Sequence, residues 1–201
     1  MATTVMTIVM NNVLVRIVGW EGVAAAGIVL AAQGIFSSLY FGYSSGIAPV
    51  VSYNFGGKNN DKLKLLYKKS LLIVGVLSVI ALIGTLALSD LLVRIYVSPS
   101  DPFMGHLHGM AVRGLRIATT GFILMGFNVF ATAWFTAFND GLVSGFMSLM
   151  RTMVFTLVFL VTLPRLWDLD GAWLALPLAE VLSIAVTIFF LIKMGKKYHY
   201  R

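Results

Sequence analysis

Apolar residues run along this chain in six long blocks separated by short polar links. The blocks are Ala2 to about Val18, Val23 to about Val51, Ser70 to about Val97, about Gly114 to Phe138, Leu142 to Leu163 and Ala172 to Ile192. The ~10-residue alternating segments of a membrane barrel are absent. At about 1.5 Å per residue, blocks of 21 residues or more reach across a hydrocarbon core about 30 Å thick. The first block is shorter, and the second is weakened by Gly34, Gly42, Gly46 and Pro49. The pattern predicts an all-α integral membrane protein, a six-helix bundle forming one membrane domain over residues 1–201.

The links carry turn chemistry. Gly56-Gly57-Lys58-Asn59-Asn60 ends the second helix and offers Asn60 as a cap for the third. Ser98-Pro99-Ser100-Asp101-Pro102 ends the third helix and opens the longest link. Asn139-Asp140-Gly141 joins the fourth and fifth helices tightly, and Pro164 to Gly171 joins the fifth and sixth. Trp20, Tyr96, Trp167, Tyr198 and Tyr200 sit near block ends, as interfacial anchors do.

Composition agrees with lipid as the solvent. Of 201 residues, 59% are hydrophobic and 11% charged, where a soluble domain has about 25% charged. The chain has no cysteine, which excludes disulfides, thiolate chemistry and Cys-ligated metals. The net charge of +7 is concentrated rather than spread. Lys58, Lys62, Lys64, Lys68 and Lys69 fill the second link, and Lys193, Lys196, Lys197 and Arg201 fill the tail. Four helices separate the two runs, so both fall on one side, which the positive-inside rule places in the cytoplasm. Arg16, Arg113 and Arg165 lie toward the other side. The charge is a topology signal, not a nucleic-acid surface. It predicts a multi-pass inner (plasma) membrane protein with a cytoplasmic carboxy terminus.

Polar residues inside the blocks are costly and mark candidate sites. Glu180 lies centrally in the sixth block, three residues after Pro177. A carboxylate there needs a partner, and Arg151 in the fifth block or Arg116 near the start of the fourth supplies one. We expect a structural polar pair, Glu180 with Arg151, rather than an ion carrier. Gln33 and Asn128 lie midway along the second and fourth blocks; they are the candidate substrate-binding residues if they line a cavity, and equally could hydrogen-bond across helices. Gly42, Ser45 and Gly46 suit close helix packing. His106 and His108 are too few and too close for a metal site and are expected to be solvated in a loop. No catalytic motif of a hydrolase, metalloprotease or phosphate loop occurs, so no enzyme and no bound metal are expected.

Three segments resemble the carboxy-terminal half of multidrug and toxic compound extrusion (MATE) transporters. They are Gly46-Ile-Ala-Pro49-Val-Val-Ser52-Tyr-Asn54-Phe-Gly56-Gly57-Lys58-Asn59, then Leu115-Arg116-Ile117, then Trp173-Leu-Ala-Leu-Pro177-Leu-Ala179-Glu180, with Asp170-Gly171 before it. The resemblance implies one lobe of a twelve-helix, two-lobe transporter that expels drugs or other organic compounds, including small organic cations, by alternating access. It implies coupling to H⁺ or Na⁺, no other cofactor, and a missing amino-terminal lobe or second copy as partner. The first block is shorter than the family's seventh helix, as if the chain began inside it. A lipid-linked oligosaccharide or polysaccharide flippase and a non-transporting membrane remnant are the alternatives. A flippase cavity should be strongly cationic, whereas mid-span cations here are limited to Arg151 and Arg116.

Overall fold

The structure, a computed structural model, describes residues 2–98 and 104–200. The described residues are helical almost throughout. They form α1 (Ala2–Val18), α2 (Trp20–Gly56), α3 (Asn60–Arg94), α4 (Gly105–Thr119), α5 (Phe122–Ala137), α6 (Gly141–Leu149), a π-helical stretch (Met150–Phe155), α7 (Thr156–Thr162) and α8 (Pro164–Gly195). Four units have the length and hydropathy of a membrane span: α2, α3, Gly141–Thr162 and α8. The pair α4 and α5 makes a fifth, bent by 54° at its break, and α1 is a shorter apolar helix. The six blocks therefore correspond to six helical units, one of them broken and one short.

Lipid as solvent explains which face of each helix turns inward. On α3 the buried face carries Ser70, Ser78, Thr85 and Ser89 beside Val74 and Ala81. The outward face carries Leu72, Ile80, Ile83 and Leu91, all exposed. Small residues let neighbouring backbones approach, while leucine and isoleucine lose nothing by facing acyl chains. The Tyr43 hydroxyl donates to Ser70 Oγ at 2.8 Å across this seam. Gly42, Ser45 and Gly46 do not fill the packing role expected of them. They lie on the exposed face of α2, and a Cβ on Gly42 or Gly46 would meet nothing within 4 Å. Ser44, 3% exposed, is the small residue that turns inward.

Local chemistry sets the ends and breaks. Gly19, at φ 74°, reverses the chain between α1 and α2 in a conformation that suits glycine. The cap of α3 is Asn59 rather than Asn60, which is already the first helical residue. Asp140 caps α6, accepting from Val143 N at 3.3 Å. The break between α4 and α5 was not visible in the apolar pattern. There the Thr119 and Thr120 hydroxyls donate to the Leu115 and Ile117 carbonyls at 2.6 and 2.7 Å. Gly121 follows, and a Cβ on it would lie 2.9 Å from Pro177 Cα. The break thus seats itself on the proline of α8. The link from Pro164 to Gly171 is drawn into α8, with a kink at Trp167 and Asp168. Of the link after α3, Pro99, Ser100, Asp101 and Pro102 lie outside the described residues, as do Met1 and Arg201.

The core gathers on α2, α5 and α8. α2 packs against α1, α3, α4 and α5, and α8 against α1, α4, α5, α6 and α7. Tyr198 and Tyr200 are not interfacial anchors. They are 6% and 1% exposed and stack on Phe138 with centroids 4.5 and 5.7 Å away. Trp20, Tyr96 and Trp167 do stand exposed near helix ends. The Tyr67 and Tyr200 rings approach to 4.9 Å, so the first turns of α3 meet the tail. The two lysine runs accordingly share one end of the bundle.

Candidate functional site

Arg151 lies in the π-helical stretch, where the Thr156 hydroxyl donates to the Arg151 carbonyl, five residues back, at 2.9 Å. A π-turn inserts one extra residue per turn and re-aims the side chains on it, a distortion common at functional sites. Glu180 lies one turn beyond Pro177, whose missing N–H leaves the α8 ladder one bond short. The two distortions face each other. Arg151 Nη1 donates to Glu180 Oε1 at 3.2 Å, and each side chain is 11% exposed.

Asn128 of α5 completes the group. Its Nδ2 donates to Glu180 Oε2 at 2.6 Å and to the Glu180 carbonyl at 3.2 Å. The Thr187 hydroxyl donates to Asn128 Oδ1 at 2.7 Å. Both carboxylate oxygens are therefore held, one by a guanidinium and one by an amide. This satisfies a charge that lipid or packed protein could not solvate. Arg116, the other candidate partner, points elsewhere and donates from Nε to Ser89 Oγ at 2.9 Å.

Two cavities flank Arg151. One, of ≈ 230 Å³, is bounded by Met6, Gln33, Phe41, Met125, Arg151 and Glu180 among others. The second, of ≈ 250 Å³, is bounded by Phe41, Ser44, Thr132, Ser148 and Arg151 among others. Gln33 thus joins the charged pair on one cavity wall. Asn128 lies behind that wall, 1% exposed, with both ends of its amide bonded. Several buried atoms near the cavities make no hydrogen bond: Gln33 Oε1, Ser44 Oγ and Arg151 Nε. One acceptor, one hydroxyl and one charged donor are left for something else to satisfy.

Ser37, Ser44 and Thr187 went unremarked in the sequence, yet spacing marks them. Gln33, Ser37, Tyr40 and Ser44 recur every three or four residues along α2, on one face. Thr187 follows Glu180 by seven, two turns along the same face of α8. The histidines are also placed differently from expectation. Both lie on α4, where His108 is buried and His106 Nδ1 is 3.2 Å from Glu21 Oε2.

A model of the MatE family matches residues 1–162. No curated protein sequence matches. An outward-facing multidrug resistance MATE family transporter of the MOP superfamily shares the fold with a TM-score of 0.87 at 16% identity, over 97% of this chain and 43% of that one. An inward-facing multidrug resistance MATE family transporter gives 0.87 at 17% identity, over 97% and 44%. A MOP superfamily transporter from Pyrococcus furiosus Vc1 gives 0.86 at 17% identity, over 96% and 43%. The chain spans less than half the length of these transporters, and at such identities the likeness is one of fold.

Proposed function

Because the chain belongs to the MatE family, we propose that it acts as the carboxy-terminal lobe of a secondary active transporter. That transporter exports drugs or other organic compounds in exchange for H⁺ or Na⁺ by alternating access. The supporting observation is the cavity on which Gln33 and Arg151 keep unbonded polar atoms beside a fully held Glu180. Gln33 contacts the cargo directly. Asn128 is a positioning residue that acts through Glu180, and the Glu180–Arg151 pair is structural. The like TM-scores against outward- and inward-facing transporters favour a lobe that keeps its shape while it moves against a second one. By itself the lobe opens its cavity to lipid, so it needs the other lobe or a second copy. The lysine-rich end faces the cytoplasm in the plasma membrane.

Dye efflux from proteoliposomes under a proton or sodium gradient tests this reading. With a complementary six-helix lobe present, the chain should export ethidium. Gln33→Leu should weaken apparent affinity about tenfold, roughly the worth of one buried hydrogen bond. The chain alone should export none. Ion-driven efflux by the chain alone, abolished by Glu180→Gln, would overturn both the need for a second lobe and the structural role of Glu180.

A further inference from the structure

α3 runs from the lysine-rich end to the opposite end of the bundle, and there its last turns meet α4 at a second polar site. Gly109, Val112, Arg113, Arg116 and Ile117 fall at i, i+3, i+4, i+7 and i+8, so they share one face of α4. With Asp90 and His108 they bound an open cavity of ≈ 540 Å³. Gly109 leaves room there, since a Cβ on it would meet nothing within 4 Å.

The charges around this cavity do not cancel. Asp90 Oδ2 is held by Arg94 Nε at 2.6 Å. Arg113 Nη2 is held by Asp170 Oδ2 at 2.5 Å. Arg116 has the Ser89 hydroxyl as its partner at 2.9 Å, and no carboxylate of the described residues lies within ion-pair reach of it. His108 is 9% exposed at its side chain; its Nε2 lies 3.4 Å from Asp90 Oδ1 but makes no hydrogen bond. A guanidinium with no acid among the described residues therefore borders the cavity, beside a buried imidazole whose Nε2 faces Asp90 Oδ1 without making a hydrogen bond.

We propose that this cavity binds a phosphate group. Arg116 would meet two phosphate oxygens with its planar fork, and His108 would reach a third only by turning Nε2 away from Asp90 Oδ1. Arg94 already neutralises Asp90, so the one acid on the wall does not dominate. Phosphate fills only a small part of ≈ 540 Å³. Val112 and Ile117 suit the glycerol and first methylenes of a phospholipid. The shared chemistry is a terminal phosphate with three or more unesterified oxygens, carried either as the monoester headgroup of a lipid such as phosphatidate or as the free anion.

Isothermal titration of the whole purified chain, in a phosphate-free maltoside detergent, distinguishes the sources. The probes are dihexanoyl-phosphatidate, inorganic phosphate and dihexanoylglycerol. Phosphatidate should bind, and Arg116→Gln should weaken it at least tenfold. Gly109→Leu fills the space without touching a charge and should weaken it as much. Leucine is the better helix former, so the unfolding temperature of that variant should not fall. Arg165→Gln, an arginine outside this cavity, should leave affinity unchanged. Phosphatidate binding alone identifies a lipid site, and equal binding of inorganic phosphate identifies a free-anion site. Binding of dihexanoylglycerol as tightly as phosphatidate would overturn the proposal. So would absence of binding by either phosphate, or affinity unmoved by both Arg116→Gln and Gly109→Leu.

Discussion

α8 is fastened to the bundle at two places by opposite chemistries. At mid-depth Glu180 is tied to Arg151 and Asn128, three polar groups that bond one another on and behind a cavity wall. At the lysine-rich end the tail folds back and lays Tyr198 and Tyr200 flat on Phe138. There Tyr200 donates to the Leu191 carbonyl at 2.9 Å, and Tyr198 donates to Asp140. The tail clasp places aromatic rings together around one mostly buried acid, Asp140, paired with the exposed Lys197 at 3.3 Å. The mid-depth network holds full charges in a low dielectric and leaves Arg151 Nε unbonded. The stacked rings of the tail clasp stabilise without depending on any one charge. The mid-depth network stabilises only while every partner is present, and it retains a donor that a ligand can use.

The largest expected effect comes from taking one partner out of the network. Glu180→Ala or Arg151→Ala should cost about 3–5 kcal/mol, because the remaining charge stays buried without its counterpart. Thermal unfolding in detergent, followed by circular dichroism, measures this. Replacing both with methionine should recover most of the loss, whereas a double variant as unstable as the singles would show that packing rather than charge is at stake.

In the tail, Tyr200→Ala removes a ring that is 1% exposed and should cost about 3 kcal/mol in the same assay. Tyr198→Phe keeps the stacking and removes only the hydroxyl, for about 1–2 kcal/mol. Lys197→Ala should leave the unfolding temperature almost unmoved, since its ammonium stands in solvent.

The tail clasp also has a pH signature. The Tyr198 hydroxyl, first among its partners, holds the Asp140 carboxyl below its ordinary value of 3.8, against the opposing effect of burial; the Val143 N–H and Lys197 add to the lowering. A carboxyl depressed on folding stabilises fully above its unfolded value. That contribution fades as the pH falls from about 3.8 through the lower folded value. Asp140→Asn should therefore lie below wild type in unfolding temperature at neutral pH, and the gap should narrow in that acid window. A gap independent of pH would place the stabilisation elsewhere.

Hydropathy alone revealed the six units because lipid imposes long apolar stretches. The partnership of Glu180 with Arg151 was legible because a carboxylate in the middle of an apolar block requires a cation at similar depth. What the linear pattern hid depends on neighbours. The break between α4 and α5 forms where Gly121 meets Pro177 of another helix. The π-turn that carries Arg151 leaves no mark in an unbroken apolar run. The tail tyrosines looked like interfacial anchors because nothing in the sequence says that Phe138 waits beneath them. Asn128 was legible as a polar residue at mid-depth, while its direction, toward Glu180 and behind the cavity wall, required the packing of α5 on α8.

The most direct test of the central claim is a double-mutant cycle on Arg151→Gln and Glu180→Gln, read by unfolding free energy in detergent. If the pair is what holds α8 to the π-helical stretch, the two losses should be strongly coupled, by about 2 kcal/mol or more. Losses that simply add, to within about 0.5 kcal/mol, would contradict it.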